Sequence, residues 1–153
     1  MTKAHHGITV LDVHECWDLL RQTEVGRLAM SIHDEPEVFP INFIVDRGTV
    51  VFRTAQGTKL VGAVEGRTVA FEADGYQPEA GEAWSVIIKG PATEIERNHD
   101  VFEVMHLPLF PWHAGPKHHF VRIEPRVVSG RRFHVTDKSS WEILPRTAGA
   151  NPE

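Results

Sequence analysis

Hydrophobic residues recur at helical spacing near the start of the chain and at strand spacing through most of the rest. The helical spacing of i, i+3, i+4, i+7 is carried by Val13, Cys16, Trp17 and Leu20. Asp12 precedes this set and Glu15 follows three residues later, which is the arrangement of a capping box. The pattern predicts one amphipathic helix that ends before Gly26.

From residue 28 onward the period changes to two, which is typical of half-buried β-strands. The predicted strands cover residues 28–32, 38–45, 49–54, 68–73, 83–95, 119–124 and 127–133. Turn-forming residues separate several of these strands, at 33–36 and 46–48 among others. Gly90 and Pro91 lie in the longest strand, where proline cannot donate a ladder hydrogen bond, so we expect a bend or bulge there.

Many short strands separated by turns favour an antiparallel barrel, because closure removes exposed sheet edges. Short helices are also predicted at residues 60–64 and 99–106. The predicted fold class is therefore mainly β, with six to seven antiparallel strands in a barrel and two or three short helices. We expect the barrel domain at residues 11–135, between a flexible leader at 1–10 and a polar C-terminal tail at 136–153.

Composition narrows the class of protein and its partners. The 153 residues suit one domain, and a formal net charge of −5 without a lysine or arginine cluster argues against nucleic acid as the main partner. No apolar stretch reaches the roughly 18 residues of a membrane-spanning helix, and no secretory signal is recognisable, so we expect a cytoplasmic protein without a membrane partner. The single cysteine, Cys16, excludes a disulfide within the chain.

Ten histidines raise the question of a metal site. His118 and His119 would point to opposite faces of a strand, and His113 lies across a Gly-Pro step from them. Since no pair has a convincing ligand spacing, we expect no metal site. No obvious nucleophile and no paired acid and base stand out either, so the catalytic residues are unknown at this stage.

The segment 52–59 combines features that suit a phosphate group. It leaves a strand, crosses a loop of small residues and begins a helix, and it carries two cations and two hydroxyls: Arg53, Thr54, Thr58 and Lys59. Backbone N–H groups at a helix start point outward, and Gly57 lets the chain approach a ligand closely. The alternative is structural, with Thr58 as an N-cap and both cations as surface charges, since neither glycine-rich nucleotide-binding motif is present.

Seven segments in a fixed order resemble the actinobacterial type of pyridoxamine 5′-phosphate oxidase-like protein, over roughly residues 11–133. They are residues 25–29, 39–43, 52–60, 69–72, 84–86, 111–112 and 121–125. The resemblance implies a six-stranded split barrel and a homodimer. It also implies FMN at each end of the dimer interface, held by residues of both subunits.

The resemblance also assigns roles to particular residues. The positions that hold the flavin phosphate are matched by Arg53, Thr54, Thr58 and Lys59, with Gly57 between them. The strand that lies along the isoalloxazine ring is matched by Pro40, Ile41, Asn42 and Phe43. Segments that reach the flavin from the facing subunit are matched by Trp84, Ser85 and Trp112, and Arg122 could add charge near the cofactor. The ordinary alternatives are solvent-facing Asn42 and Arg122 and a core position for Trp84.

In function, the resemblance implies an FMN-dependent oxidoreductase that transfers electrons or hydride to an unidentified small molecule, with the protein supplying position and electrostatics. Three alternatives stay open. The cofactor could be a deazaflavin, the chain could bind or sequester a flavin without turnover, or it could be an empty dimeric barrel. The intact segment 53–59 argues against the last of these.

Overall fold

The computed structural model describes residues 4–5, 7–54, 63–95 and 119–135, and these residues form one antiparallel sheet with one helix packed on it. The strands are β1 (Ala4–His5), β2 (Ile8–Leu11), β3 (Val25–Ile32), β4 (Glu35–Asp46), β5 (Thr49–Thr54), β6 (Arg67–Gln77), β7 (Glu82–Glu94), β8 (His119–Ile123) and β9 (Val127–His134). The helix is α1 (Val13–Arg21). The mainly β class predicted from the sequence is confirmed.

Six of the strands close into a barrel. Their order is β7-β6-β3-β4-β5-β8, and a further pairing between β8 and β7 completes the ring. β9 and β2 extend the sheet from β7, with the two-residue β1 at its edge. This architecture is the six-stranded split barrel that the resemblance implies.

β7 belongs to both the barrel and its extension, because its partner changes along its length. Residues 82–89 pair with β9, whereas residues 92–94 pair with β8. Gly90 and Pro91 lie between the two stretches, so the bend predicted there is the point at which the strand changes partner. The Arg126 N–H donates to the Lys89 carbonyl at 2.8 Å and the Glu124 N–H to the Pro91 carbonyl at 3.0 Å, which holds the β8–β9 connection against this point.

Strand alternation fills the barrel with apolar side chains. The buried set includes Leu28, Met30, Ile41, Phe43, Val50, Phe52, Val69, Phe71, Val86, Ile88, Val121 and Ile123. The rings of Phe43 and Phe71 meet edge to face, with centroids 4.6 Å apart and planes at 66°. Residues from the two strands that flank β3 therefore meet inside the barrel, which makes the interior a packed core.

The predicted helix is confirmed, together with its capping box. The Glu15 N–H donates to Asp12 Oδ1 at 2.8 Å, and the Asp12 N–H donates to Glu15 Oε2 at 3.0 Å. The helix buries Cys16, Trp17 and Leu20. Gly130 of β9 allows this close packing, because a β-carbon there would collide with the Cys16 sulfur.

The structure differs from the prediction in the residues before the helix. Part of the leader expected to be flexible is a strand, because Ile8–Leu11 pairs with β9 from Ile8 opposite Phe133 to Leu11 opposite Gly130. A stretch of four residues is too short to show a periodic pattern, and its partner strand lies at the far end of the domain.

Of the predicted helix at 60–64 only Ala63 and Val64 are described, and both are helical. The helix at 99–106 and the tail at 136–153 lie outside the described residues.

Candidate functional site

The predicted site residues on β4 alternate between the barrel interior and its outer surface. Ile41 and Phe43 are buried, whereas Pro40 is exposed and Asn42 is half-buried. The side chains of Ile41 and Phe43 therefore support the barrel. Only Pro40 and Asn42 present side chains to the outer face.

Arg53 ends the neighbouring strand on the same outer face. Phe43 and Phe52 form the last described pair of β4 and β5 at this end and both point inward, so Asn42 and Arg53, one step beyond, point outward. Arg53 is paired across β8 with Phe120, and its guanidinium carbon lies 5.4 Å from the centre of that ring. This distance is within the range of a cation–π contact, which restrains the guanidinium.

The surface beside Arg53 is apolar. We call it the outer patch, and it comprises Ile44, Val51, Ile95 and Phe120. Val51 and Phe120 are buried although they lie outside the barrel, and the other two pack against them. A cation thus lies next to an apolar cluster at the end of β5, in which Ile44 and Ile95 are the partly accessible members.

Thr54 lies on the opposite face of β5 from Arg53, directly across from His119 of β8, and both are half-buried. The residues that follow Thr54 include the predicted phosphate ligands Gly57, Thr58 and Lys59. These three lie outside the described residues, as does Trp112, so their assignments stay predictions.

Arg122 has partners within its own chain. Its Nη1 donates to Asp46 Oδ2 at 3.0 Å and to Thr49 Oγ1 at 2.6 Å, at the two ends of the β4–β5 turn. Only a fifth of the side-chain surface of Arg122 and of Asp46 is accessible. The guanidinium therefore fixes this turn, and Asp46 offsets the charge that Arg122 would add to a ligand site.

Trp84 borders a cleft at a different edge of the barrel. Gly75 lies opposite it on β6, and a β-carbon at Gly75 would collide with the indole, so the missing side chain lets the ring lie against β6. The cleft has a volume of about 640 Å³ and lies between the end of α1, the start of β3 and the β6–β7 hairpin. Its walls include Leu19, Thr23, Arg27, Asp74, Tyr76 and Trp84.

Trp84 and Ser85 are not close to Arg53 within the chain. They lie in the half of β7 that pairs with β9, eight and seven residues before the stretch that meets β8. They also point to opposite faces, since they are consecutive residues of one strand. The predicted site residues are therefore in two groups, one at the end of β5 and one beside the cleft.

A charged cluster beside the cleft was not anticipated from the sequence. Arg27 of β3 bridges two carboxylates of β6, with Nη1 3.2 Å from Glu72 Oε2 and 3.3 Å from Asp74 Oδ2. Partial burial raises the pKa of Glu72 above its usual value, and neighbouring Asp74 raises it further, against the lowering effect of Arg27. The cluster thus keeps one of its carboxylates easier to protonate than an exposed one.

Neither a metal site nor a membrane-spanning helix is found in the part of the chain that the structure covers. No three histidine, cysteine or carboxylate side chains gather there into a group able to hold a metal ion. Those same residues include no helix of the length and apolarity needed to span a bilayer.

The comparison with protein families bears on both groups of residues, because it covers both. A model of the pyridoxamine 5′-phosphate oxidase family matches residues 12–132, which run from the N-cap of α1 into β9. The chain belongs to this family. The match includes the end of β5, the outer patch and the Trp84 cleft.

The chain is also similar to individual proteins over most of its length. The structure of the FAD binding protein from Mycobacterium smegmatis is 40% identical and superposes with a TM-score of 0.72, over 82% of this chain and 98% of that one. A conserved protein of unknown function from Corynebacterium diphtheriae is 34% identical, with a TM-score of 0.71 over 83% and 98% of the two chains. The uncharacterised protein Rv0080 of Mycobacterium tuberculosis is 34% identical over 131 residues, which are 82% of this chain and 86% of the relative.

Proposed function

We propose that this chain is an oxidoreductase that binds FMN on the outer face of β4, β5 and β8. The observation that carries the proposal is Arg53, a guanidinium held at the end of a strand beside the apolar outer patch. A flavin combines a flat, largely apolar ring with an anionic phosphate. An apolar surface with an adjacent cation fits both parts.

The Mycobacterium smegmatis relative supports a flavin, because its name states that it binds FAD. FAD contains the whole of FMN, so the same ring and the same first phosphate would meet the same residues. These residues offer partners to a flavin ring and to one phosphate, and FMN is the smallest flavin that has both. FAD and a deazaflavin are the alternatives that an experiment must separate.

A bound flavin would supply the electron or hydride transfer, while this chain would bind and orient it. Arg53 would neutralise phosphate charge, and Phe120 would keep the guanidinium in place. Asn42 places a side-chain amide on the strand next to Arg53, where it suits the polar edge of the ring.

We also infer that two copies share each flavin. Trp84 and Ser85 lie far along β7 from the end of β5, so they can reach a flavin at Arg53 only from a second copy. Exposed apolar residues in one row across the sheet support association: Ile8 (40% exposed) of β2 opposite Phe133 (38%) of β9, and Tyr76 (58%) of β6, on the far side of β7.

The flavin proposal is tested by mixing the purified protein with FMN, FAD or a deazaflavin, removing excess ligand, and recording the absorbance spectrum. We expect flavin bands to stay with the protein and to bleach when NADH or NADPH is added without oxygen. Retained bands that neither NADH nor NADPH bleaches would favour a flavin carrier or a different electron donor. Retention of the deazaflavin alone would replace the cofactor, and retention of none would refute the proposal.

The shared site predicts a dimer at micromolar concentration when flavin is bound. Sedimentation velocity on the flavin-loaded protein, with detection at a flavin wavelength, measures the mass of the species that carries the cofactor. We expect the flavin signal at the dimer mass. A stoichiometric flavin on a monomer would show that Trp84 and Ser85 take no part in the site.

A further inference from the structure

A hydrogen-bonded histidine and glutamate lie at the end of the barrel from which the predicted phosphate segment leaves. His119 Nδ1 is hydrogen-bonded to Glu94 Oε1, across the pairing of β8 with β7. About a third of each side chain is accessible, so the pair is neither buried in the core nor free in solvent. Its surroundings are the ends of three strands, β5, β7 and β8.

The glutamate of this pair is itself held in place. Its backbone N–H donates to Glu65 Oε2 at 2.8 Å, and one residue later the Ile95 N–H donates to the Phe120 carbonyl at 2.8 Å. The β7–β8 ladder thus continues past Glu94 on one side, while Glu65 fixes the strand from the other. A carboxylate held in this way can set the orientation of the imidazole.

The position of His119 relative to Thr54 follows from strand register. The two residues are direct partners in the antiparallel pairing of β5 and β8. Side chains of such partners lie on the same face, with β-carbons about 4.5–5.5 Å apart. A ligand group bound beside Thr54 is therefore within reach of the imidazole.

The ring has one nitrogen available for a ligand. Nδ1 is engaged by Glu94, and Nε2 has no partner among residues 4–5, 7–54, 63–95 and 119–135. A histidine oriented by a carboxylate through one nitrogen commonly uses the other to bind. A proton on Nε2 makes the ring a hydrogen-bond donor, and the bond is charge-assisted when its acceptor is a phosphate oxygen.

We propose that His119, oriented by Glu94, is a further ligand of the flavin phosphate. The phosphate would lie past the end of β5, where Arg53 approaches it from the outer face and Thr54 and His119 approach it from the opposite face. This inference rests on the proposed flavin function and adds a ligand that the family resemblance does not assign. The nearby charges are consistent with it. Glu94 is hydrogen-bonded to His119, the Glu65 carboxylate accepts a backbone N–H, and Arg53 on the other face of β5 supplies a cation.

The first test compares FMN with riboflavin, which lacks the phosphate, in variants of the full chain. His119→Ala is expected to weaken FMN binding by about tenfold or more, in line with one charge-assisted hydrogen bond, and to leave riboflavin binding unchanged. In His119→Gln the amide nitrogen takes the place of Nε2, so FMN affinity should largely return. His119→Asn places its amide near Nδ1 and should not restore it.

The controls separate this role from a structural one. His14→Ala changes a histidine on the exposed side of α1 and should alter neither affinity. A spectroscopic measurement adds a direct readout: in long-range ¹H–¹⁵N spectra, the Nε2 resonance of His119 should shift when FMN is added and stay in place with riboflavin.

Two results would overturn the inference, and they differ from a failure of the proposed function. Equal losses of FMN and riboflavin binding in His119→Ala would mean that the pair only supports the fold. Unchanged FMN binding in that variant would remove His119 from the site while the flavin function stands. A wild-type protein that binds no flavin would instead refute the proposed function and this inference together.

Discussion

Replacing Arg53 and Lys59 together by alanine is expected to weaken FMN binding by about 3 kcal/mol or more, which is over a hundredfold in Kd, since each charge-assisted contact contributes about 1.5–3 kcal/mol. Arg53 is the described half of this pair, at the end of β5 over the Phe120 ring. Lys59 is assigned by the family resemblance. Titration of flavin fluorescence with each protein measures the loss.

The matched control is Arg126→Ala, which removes an exposed cation from the β8–β9 connection and should leave the affinity unchanged. A second variant tests geometry as well as charge. Arg53→Lys keeps the cation but loses the planar donor group that pairs with a phosphate, so its affinity should fall between wild type and Arg53→Ala. Unchanged FMN affinity in the double variant would show that the phosphate binds elsewhere.

Riboflavin, which lacks the phosphate, separates an effect on phosphate binding from a disturbance of the outer patch. If Arg53 acts on the phosphate, the double variant should bind riboflavin as well as the wild type does. Equal losses for both ligands would mean that the substitution has disturbed the outer patch, because Phe120 packs against the guanidinium and lies within that patch.

The fold was largely predictable because most of its helices, strands and turns depend on residues that are close together in the sequence. The spacing of apolar residues in α1, the cap at Asp12 and the alternation in the strands each act over a few residues. The turns at residues 33–36 and 46–48 were also predicted from the sequence. His33 and Asp34 have φ of 51° and 63°, and Arg47 and Gly48 have φ of 49° and 69°, as expected for tight turns between antiparallel strands. Two strands, β1 and β2, were missed. β1 has only two residues, and β2 depends on a partner strand distant in sequence.

The candidate site was predictable in part, since side-chain partners across strands depend on register. Resemblance named Arg53, and the structure gives it an apolar neighbourhood that no local pattern contains. The partners of Arg122 in the β4–β5 turn follow from the pairing of Val51 with Arg122, and the Glu94–His119 contact follows from the β7–β8 ladder. Neither can be read from spacing along the chain, because each joins residues of different hairpins.

Substituting Gly90 by alanine should destabilise the fold by about 3 kcal/mol or more, or prevent folding, which is at or beyond the upper end of the usual cost of overpacking. A β-carbon at this position would lie 2.8 Å from the Glu124 carbonyl carbon and well inside contact distance of its oxygen. The obstacle is backbone, so no side-chain rotation relieves it. Hydrogen bonds from Glu124 and Arg126 to Pro91 and Lys89 also hold that backbone in place.

Urea unfolding followed by tryptophan fluorescence would measure this loss, with Gly48→Ala as the matched control. Gly48 has a φ of +69° and no atom within 4 Å of an added β-carbon, so its substitution costs only the left-handed backbone conformation, about 1–2 kcal/mol. Gly90 has no such positive φ, and alanine there would be neutral or stabilising if contact with the β8–β9 connection were absent. If Gly90→Ala lowers stability no more than Gly48→Ala does, the β8–β9 connection does not pack against β7 at the point where that strand changes partner. The barrel closure between β7 and β8, which brings Glu94 to His119, would then need a different explanation.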